Sequence, residues 1–550
     1  MLLKQKTYIA LRARHLSTYV AAALAIQGSP ALADITQSGM EDIPDGARIG
    51  SVTIDRQNIF DLSDSKEDNK LFSLINRLHI PTRHATIQEQ LLFEPGEVFN
   101  PRVIAETERI LRANKYFYDA SVTPRLNAAG EVDVTVATRD LWTLTPEITL
   151  SRSGGENKTE FGIEESNLFG LGQRIVIARA DDVDRTSTTF EFADRQLGGT
   201  WIGLNLLLAD NSDGHSNRVA VVKPFHSLDA RNAGGITWWD DDRRSTYYEL
   251  GEEAAEYSHK RRQLQSFGGW SRGLQNGWVR RWTTGAVFDE HIFTEVAEPE
   301  LPQVLPDNRK LVYPFVGYEI LEDRYVKSSN SNQIERAEDF YLGTRLSLTL
   351  GWSNEHFGAD RDAIIYRLTA NHSFGSLDKK ALLLAGFVAG RQEKDGVANS
   401  VVDLNASFYW RQSEKRLFFT NAALLLGHNL DRDKPVELGG DEGLRGFPLR
   451  YQSGDSRFVM SIEQRYFTDW YPFRLFRVGG ALFVDVGRVW GSNALNSDNL
   501  GWLSNAGFGL RFAPTRLGTK KVFHLDIAFP INGESDIDSV QVLFKAKNSF

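Results

Sequence analysis

The sequence predicts a transmembrane antiparallel β-barrel that follows one small N-terminal α+β domain. From Trp142 onward the helical periodicity disappears, and segments of about 9 to 13 residues alternate apolar and polar side chains. Their length matches the roughly 9–11 residues of a tilted membrane strand. These segments number well over a dozen and end at glycine, aspartate, asparagine or serine. Because lipid satisfies no backbone N–H or C=O group, a sheet of such strands must close on itself.

A soluble antiparallel sandwich also alternates its side chains and is the main alternative to a barrel. A sandwich of this length would normally divide into units of about 100 residues, and no linker divides residues 142–550. Aromatic residues near the ends of the apolar faces favour a membrane girdle. The 46 glycines, the absence of cysteine and the net charge of −9 fit an exported protein with no nucleic-acid partner.

The N-terminus has the pattern of a secretory signal peptide. A basic region is followed by an apolar run from Leu16 to Ile26 and by the small-x-small site Ala31-Leu32-Ala33. A membrane anchor is the alternative, but the apolar run is too short for one. The expected organisation is a signal peptide at 1–33, a linker at 34–47, an α+β domain at 48–140 and a barrel at 141–550.

The α+β domain is predicted to have the order strand, helix, helix, strand, strand. Ile49–Ile54 is the first strand, and a helix over Glu67–Leu78 places Leu71, Leu74, Ile75 and Leu78 on one face. Asn100 is a suitable N-cap with Pro101 at the first helical position. Two strands follow, at Asp119–Leu126 and around Val132, Val134 and Val136.

The number of barrel strands is predicted less sharply than the barrel itself. Five segments near the C-terminus are clear, at about 456–468, 480–490, 503–513, 522–530 and 539–550, and roughly fifteen precede them. Between about 225 and 310 the number of strands assigned has the wrong parity for a closed antiparallel barrel. The stretches 297–306 and 326–338 are expected to be loops. One apolar face is expected to contain Leu342, Leu346, Leu348, Leu350 and Trp352.

A glycine-rich stretch, Gly439 to Pro448, stands just before the five C-terminal segments. It contains the lone cation Arg445 between Leu444 and Gly446, and its glycines allow close backbone approach. The strand alternation assigns Glu463, Arg465, Asp485 and Arg511 to the inner wall. We therefore expect a loop that folds into the lumen and pairs Arg445 with Asp485.

These residues resemble the signature of the bacterial outer-membrane assembly and secretion superfamily that includes BamA, TamA and the two-partner-secretion transporters. The resemblance lies in the loop residues Gly439, Gly440, Leu444, Arg445, Gly446 and Phe447, in Phe483 to Gly487, in Glu463-Gln464-Arg465 and in Asn167 to Gly172. It implies a surface-antigen type barrel of sixteen strands, although the alternation allows up to about twenty. It also implies that residues 48–140 form a single periplasmic POTRA domain, where relatives often have several, and that Phe550 and Phe544 form a C-terminal assembly signal.

The function that the resemblance implies is insertion or translocation of polypeptides at the outer membrane. Clients would bind an exposed POTRA strand by β-augmentation and pass at the seam between the first strand (143–153) and the last (539–550). The expected partners are unfolded outer-membrane or secreted polypeptides, lipid or lipopolysaccharide, and a periplasmic accessory protein. A secretion pore for one dedicated partner and a passive porin-like barrel are the alternatives.

Several motifs suggest other functions, and we set them aside. Gly269-Trp270-Ser271-Arg272-Gly273 fits a serine-hydrolase pattern but lies in an alternating β run rather than at a strand–turn–helix elbow. The sequence Gly439 to Glu442 is like a cyclase signature without the α/β domain. Asp181-Asp182 and Asp240 to Asp242 are compatible with calcium binding or with bridging of lipopolysaccharide, but acidic loop tips are usually solvated, and we expect the same of these. We expect no enzyme activity, no catalytic residues, no metal site and no cofactor.

Overall fold

The computed structural model describes residues 43–518, 521–535, 537–547 and 549–550, without the side chains of 147–150. The predicted signal peptide and most of the predicted linker lie outside the described residues. None of the described helices has the length and apolar character needed to cross a bilayer.

The N-terminal α+β unit contains a three-stranded sheet and three helices. Its elements are β1 (Ile49–Gln57), α1 (Lys70–Leu78), α2 (His84–Gln88), α3 (Pro101–Ala113), β2 (Phe117–Leu126) and β3 (Val132–Asp140). The sheet order is β1-β3-β2, with β1 parallel to β3 and β2 antiparallel to it. The side chain of Asn100 accepts a hydrogen bond from the backbone N–H of Arg102 and caps α3 as predicted. The short helix α2 was not predicted.

The apolar face of α1 does not pack as its spacing suggests. The helix begins at Lys70 rather than Glu67, and its buried residue is Phe72, which stacks on Phe60 with ring centroids 3.8 Å apart. Leu71, Leu74 and Leu78 share a face as predicted, but that face is exposed. The core of the unit is formed instead by β1–β3, α2 and α3.

In the part of the chain that the structure describes, twenty antiparallel strands close into one barrel. They are β4 (Leu144–Ser153), β5 (Glu156–Leu168), β6 (Gln173–Asp181), β7 (Thr186–Asp194), β8 (Gly203–Asn211), β9 (Gly214–Lys223), β10 (Asn232–Glu249), β11 (Glu252–Gln275), β12 (Trp278–Thr294), β13 (Arg309–Glu322), β16 (Arg345–Ser353), β17 (Ala363–Gly375), β18 (Lys380–Glu393), β19 (Gly396–Ser413), β20 (Arg416–His428), β23 (Ser456–Phe467), β24 (Phe476–Trp490), β25 (Leu503–Pro514), β26 (Val522–Pro530) and β27 (Gln541–Lys547). Two small hairpins lie in connections, β14 (Tyr325–Ser328) with β15 (Glu338–Tyr341), and β21 (Val436–Leu438) with β22 (Gln452–Gly454).

The barrel has twenty strands in the described chain, not the sixteen that the family resemblance implies. Twenty is the upper limit that the alternation of side chains allowed. The parity problem between about 225 and 310 disappears because β10, β11 and β12 are long, at 18, 24 and 17 residues, and each is one strand. The last strand ends at Lys547 rather than continuing to residue 550. Leu342 is not on the lipid face with Leu346, because it precedes β16 and is buried inside the barrel.

The barrel has two rims, which differ in what lies next to them. Strand β4 follows β3 directly, so the α+β unit lies at the end of the barrel where β4 begins; we call this end the proximal rim and the opposite end the distal rim. Along the strands, outward side chains are large and apolar while inward side chains are polar or charged, as on β16, where Leu346, Leu348 and Leu350 are exposed. This outward apolar band meets lipid.

A cation on the lipid face is expected to destabilise the barrel more than one on the lumenal face. Leu348 lies midway along β16 and faces outward, whereas its neighbour Ser347 faces inward opposite Glu319. Leu348→Arg should lower the free energy of unfolding by about 2–4 kcal/mol, measured by denaturant unfolding in lipid vesicles. Ser347→Arg is the matched control and should change it by about 0.5 kcal/mol or less. Equal effects of the two substitutions would contradict the facing of this strand.

Candidate functional site

Arg445 lies at the tip of the connection between β20 and β23, residues 429–455, which we call the arginine loop. This connection starts at the distal rim and folds into the lumen, where Leu444, Phe447 and Tyr451 are fully buried. These side chains pack on Val459, Val489 and Leu503 of the inner wall. The loop is therefore held by an apolar cluster as well as by its charge.

The guanidinium of Arg445 contacts four neighbouring inner-wall residues. Its Nε and Nη2 donate to the two carboxylate oxygens of Asp485 at 2.8 and 2.7 Å. Its Nη1 donates to Glu463 at 2.9 Å, and Nη2 also donates to the Ser461 hydroxyl at 2.9 Å. The guanidinium carbon lies 3.4 Å from the centroid of the Phe483 ring, which adds a cation–π contact. The predicted pairing of Arg445 with Asp485 is present in the structure.

Burial and charge act in opposite directions on Arg445. Burial alone lowers the pKa of its guanidinium, but the carboxylates of Asp485 and Glu463 outweigh burial and hold the pKa above its ordinary value. Both carboxylate oxygens of Asp485 also accept a further hydrogen bond, one from Ser461 at 2.7 Å and one from Asn505 at 2.8 Å. Arg445 is therefore a permanently charged residue in a complete set of hydrogen bonds.

The glycines of the arginine loop are required by close backbone contacts. A Cβ on Gly446 would lie 2.6 Å from the Cβ of Asn505, and one on Gly439 would lie 2.3 Å from the carbonyl oxygen of Pro448. The amide of Gly440 donates to that same carbonyl at 2.9 Å. The Gly439-Gly440 pair thus lets the two arms of the loop touch, and Gly446 lets the tip reach the wall.

The other predicted inner-wall residues lie beside this contact. Arg465 donates to the second oxygen of Glu463 at 2.8 Å, and Arg511 donates to Asp526 at 2.6 Å. Asp526 lies 4.0 Å from Arg445. The structure therefore brings together Arg445, Glu463, Arg465, Asp485 and Arg511 as predicted, and it adds Asp526 to them.

Two bidentate ion pairs hold the root of the arginine loop. Arg391 donates to both oxygens of Asp431 at 2.9 and 2.8 Å, and Arg309 donates to both oxygens of Asp433 at 2.6 and 2.7 Å. Burial raises the pKa of each aspartate, but the neighbouring cations outweigh it and hold both pKa values well below the ordinary value. The two aspartates therefore attach the root of the loop to arginines of the barrel wall.

The seam between the first and last barrel strands is short. Phe544 of β27 opposite Arg152 of β4 is the one residue pairing between these strands in the described part of the chain. By contrast, β27 pairs with β26 at every residue from Gln541 to Lys547. The prediction that this seam is not the strongest pairing of the barrel agrees with this register.

The arginine loop touches both strands of the seam. Lys545 of β27 donates to the carbonyl of Gly440 at 3.1 Å and to the carboxylate of Asp441 at 2.7 Å. On the other side, Gly154 follows β4, and a Cβ there would lie 2.3 Å from the amide nitrogen of Leu449. The loop therefore bridges two strands that are scarcely hydrogen-bonded to one another.

A second segment folds into the barrel at its proximal end. This segment, residues 323–344 between β13 and β16, we call the proximal plug; the sequence predicted only a loop at 326–338. Ile334, Phe340 and Leu342 pack against inner-wall residues of β18 to β20 and β23 to β26. Arg465 donates to the carbonyl of Ser331 at 2.9 Å. Wall and plug thus share an apolar core inside the barrel mouth.

Phe550 and Phe544, the predicted assembly signal, lie on opposite sides of the wall. Phe544 faces outward from β27. Phe550 is buried inside, where its amide donates to the carbonyl of Asn332 in the proximal plug at 2.6 Å and its ring packs on Phe467. A role of these residues in assembly stays a prediction, and the folded barrel does not display Phe550 on its surface.

The structure also brings together His259, His291 and Asp433, which the sequence spacing did not indicate because they come from three separate parts of the chain. Their ligand atoms lie within 4.8 Å of one another. His259 Nε2 contacts His291 Nδ1 at 2.9 Å, His291 Nε2 lies 3.3 Å from Asp289, and Arg309 occupies both oxygens of Asp433. These contacts form a hydrogen-bond chain, and a cation there would have to displace Arg309.

The triple aspartate 240–242 corrects another expectation. It lies within β10 rather than at a loop tip, and its members pair with basic side chains: Asp240 with His215, Asp241 with Arg243, and Asp242 with Lys260. Asp241 is buried, and Asp240 and Asp242 are half-buried on the opposite face of β10.

Comparisons with known proteins give similarities of shape at low sequence identity. Comparison with protein-family models gives no match, and comparison with curated proteins gives none either. Among solved structures, CdiB from Escherichia coli is 14% identical with a TM-score of 0.48, over 91% of this chain and 76% of that one. CdiB from Acinetobacter baumannii is 14% identical with a TM-score of 0.44, over 90% and 73%. BamA from Haemophilus ducreyi lacking POTRA domains 1–3 is 12% identical with a TM-score of 0.40, over 90% and 84%.

Removing the charge of Arg445 should destabilise the barrel strongly. Arg445→Ala leaves Asp485 and Glu463 buried without their cation and should lower the free energy of unfolding by about 3–5 kcal/mol. Arg445→Lys should recover little of this, because an ammonium lacks the planar fork that reaches both carboxylates. Denaturant unfolding in lipid vesicles gives the values.

Arg432→Ala is the matched control for Arg445, because Arg432 is an exposed arginine of the same loop. Its effect should be about 0.5 kcal/mol or less. A double-mutant cycle with Asp485→Asn should give a coupling energy well above zero. A silent Arg445→Ala would refute the proposal that this residue anchors the loop.

The root of the arginine loop should loosen only in acid. The folded-state pKa values of Asp431 and Asp433 are depressed, so their stabilisation is fully present above the unfolded-state value of about 3.9 and is lost as the pH falls below it. Thermal unfolding followed from neutral pH to about pH 3 should show this loss. The variant with Asp431→Asn and Asp433→Asn should be less stable at neutral pH and lose less on acidification; parallel curves would contradict the assignment.

Proposed function

We propose that this protein is a non-enzymatic machine of the bacterial outer membrane that inserts or translocates polypeptides, and that the client passes at the seam between β4 and β27. The observation that carries the proposal is the seam itself, where one pairing of described residues joins the two strands while the arginine loop holds both. A sheet edge that is barely paired is a template for another strand. A client strand that pairs there has its backbone satisfied within lipid.

The α+β unit is proposed to be the POTRA domain that captures the client in the periplasm. Of its two edge strands, β2 has its outer backbone groups occupied. Glu108 accepts from the amide of Val122, Arg112 donates to the carbonyl of Ala120, and Arg336 of the proximal plug donates to the carbonyl of Phe117 at 2.8 Å. Pro124 has no N–H at all. Strand addition at β2 is disfavoured by these contacts.

Strand β1 is the better candidate for capture. In the described chain it pairs with β3 on one side, and on the other it has only the start of the strand engaged, where the amide of Ile49 donates to Glu97. Its outward side chains from Ser51 to Gln57 are short or polar, so they leave the edge accessible. An extended client would bind there mainly through its backbone, which makes capture tolerant of client sequence.

The two inward segments favour the seam over the lumen as the route for a client. The arginine loop folds into the barrel from the distal rim, and the proximal plug packs on the wall at the other end. A secretion pore for one dedicated partner would have to displace both segments, including the buried contacts of Arg445 and Ile334. A passive porin needs an open lumen and has no need of two segments packed inside it. Secretion through the lumen is therefore the second candidate and a porin the third.

The arginine loop has two separate tasks in this proposal. Its tip stays anchored by Arg445 on β23 and β24, which stiffens the wall at those two strands. Its arms contact β27 through Asp441 and the turn after β4 through Leu449. Opening the seam then costs one strand pairing and the contacts of the arms, while the anchored tip keeps the remaining sheet in register. Further partners on this proposal are outer-membrane lipid or lipopolysaccharide and a periplasmic accessory protein.

Locking the seam tests the route. The chain contains no cysteine, so Arg152→Cys with Phe544→Cys introduces one defined pair at positions that face each other across the seam. The oxidised variant should fail to support its clients, seen as a selective loss of β-barrel proteins from the outer-membrane proteome, and a reductant should restore them.

The matched control is Leu510→Cys with Leu525→Cys, an outward-facing pair on β25 and β26, which are hydrogen-bonded to one another and do not form the seam. Its disulfide should leave client levels unchanged. If the oxidised seam variant supports every client, the seam is not the exit. If depletion of the protein removes one secreted polypeptide and leaves the barrel proteins unchanged, the secretion pore is the correct reading.

A further inference from the structure

The exposed face of α1 has no partner in the described chain and is more apolar than a water-facing helix needs to be. Leu71, Leu74 and Leu78 are 60%, 50% and 62% exposed, and Ile80 just after the helix is 54% exposed. The helix is well formed, because the side chain of Asn69 accepts from the amide of Phe72 at 2.9 Å. Leucines at this spacing form an apolar stripe along one side of the helix. Exposed apolar patches of this kind usually contact another apolar surface.

The location of α1 indicates what that environment is. The segment that leads into the helix is fixed to the proximal rim, where Arg516 donates to the carbonyl of Ile59 at 3.0 Å and pairs with Glu67. The apolar cluster of Ile59, Phe60 and Phe72 continues into Trp142 and Leu475 of the barrel. The helix therefore lies at the edge of the barrel rather than at the far end of the α+β unit.

The exposed apolar surface of the barrel rim continues toward the helix. The turn between β23 and β24 exposes Trp470 and Phe473, at 61% and 82%, immediately before Leu475. Aromatic side chains at a rim mark the level of the membrane interface. Ile75 lies on α1 between the buried Phe72 and the exposed leucines, and it packs on the cluster that includes Leu475. One apolar surface thus runs from the lipid band of the barrel to the leucine stripe.

We infer that α1 lies on the membrane leaflet at the proximal rim, with Leu71, Leu74 and Leu78 among the lipid acyl chains. The occupant of this face is the lipid surface, which reaches the rim at Trp470 and Phe473. Exposed charges of both signs flank the helix: Lys66, Lys70 and Arg77 against Asp64 and Asp68. Binding should therefore depend on apolar burial and little on the charge of the lipid.

This contact adds a third attachment of the α+β unit, besides its links to the rim turns and to the proximal plug. The unit would be held against the membrane on the side of β23 to β26, the strands that lead to the seam. Its capture strand β1 would then keep a constant position relative to the seam. The inference goes beyond the proposed function and does not depend on it.

Spin labels on single cysteines test the inference in the full chain reconstituted in phosphatidylcholine vesicles. Leu74→Cys and Leu78→Cys place the label on the leucine stripe, and Ser73→Cys is the matched control on the polar side of the same helix. The readout is the accessibility of each label to oxygen, which concentrates in lipid, and to a nickel chelate, which stays in water. The oxygen-to-nickel ratio should be several-fold higher at positions 74 and 78 than at 73.

Each alternative occupant has its own outcome. Equal ratios at the three positions would mean that the stripe faces water and would overturn the inference. Low accessibility of positions 74 and 78 to both reagents would mean that protein covers the stripe, which also overturns it. Vesicles with added anionic lipid should give the same ratios, and a large rise there would contradict the apolar basis of the contact.

Discussion

The need to pair every backbone group in lipid governs the architecture of this protein. A strand in hydrocarbon has no water to bond, so the sheet must close. Closure with twenty strands produces a lumen too wide for wall side chains alone to fill. The arginine loop and the proximal plug occupy that space from opposite ends, and both are fixed by inner-wall arginines or carboxylates. Among the described residues the seam has the fewest strand pairings, and it is also where the arginine loop reaches across.

Arg445 shows how a buried charge gives specificity as well as stability. Taking a guanidinium out of water is costly, and the cost is offset only where partners are complete. Asp485 and Glu463 supply that set from adjacent strands β24 and β23, so the loop tip fits one position on the wall. Apolar contacts alone are not directional and would allow several positions of the loop tip. The guanidinium bonds to two carboxylates at fixed positions, which selects one.

The sequence predicted local features well and packing features poorly. The alternation of β23 to β25 assigned Glu463, Asp485 and Arg511 to the lumen correctly, because a period of two leaves no freedom once one face is apolar. The position of Leu342 was predicted wrongly, because it is buried inside the barrel. The shared face of Leu71, Leu74 and Leu78 was predicted correctly, but spacing does not say what covers a face, and this one is exposed. The proximal plug and the histidine pair were missed because their partners are distant in the chain.

The sequence by itself determined that this chain forms a barrel with an arginine-tipped loop directed at Asp485, because strand alternation and a glycine-rich turn are local properties that survive without tertiary context. Only the tertiary structure decided the strand number, the weakness of the seam, the inward turn of Phe550 and the filling of the lumen. Those features depend on register and on contacts between residues hundreds of positions apart. Such contacts form only when the sheet closes and the two inward segments meet its wall.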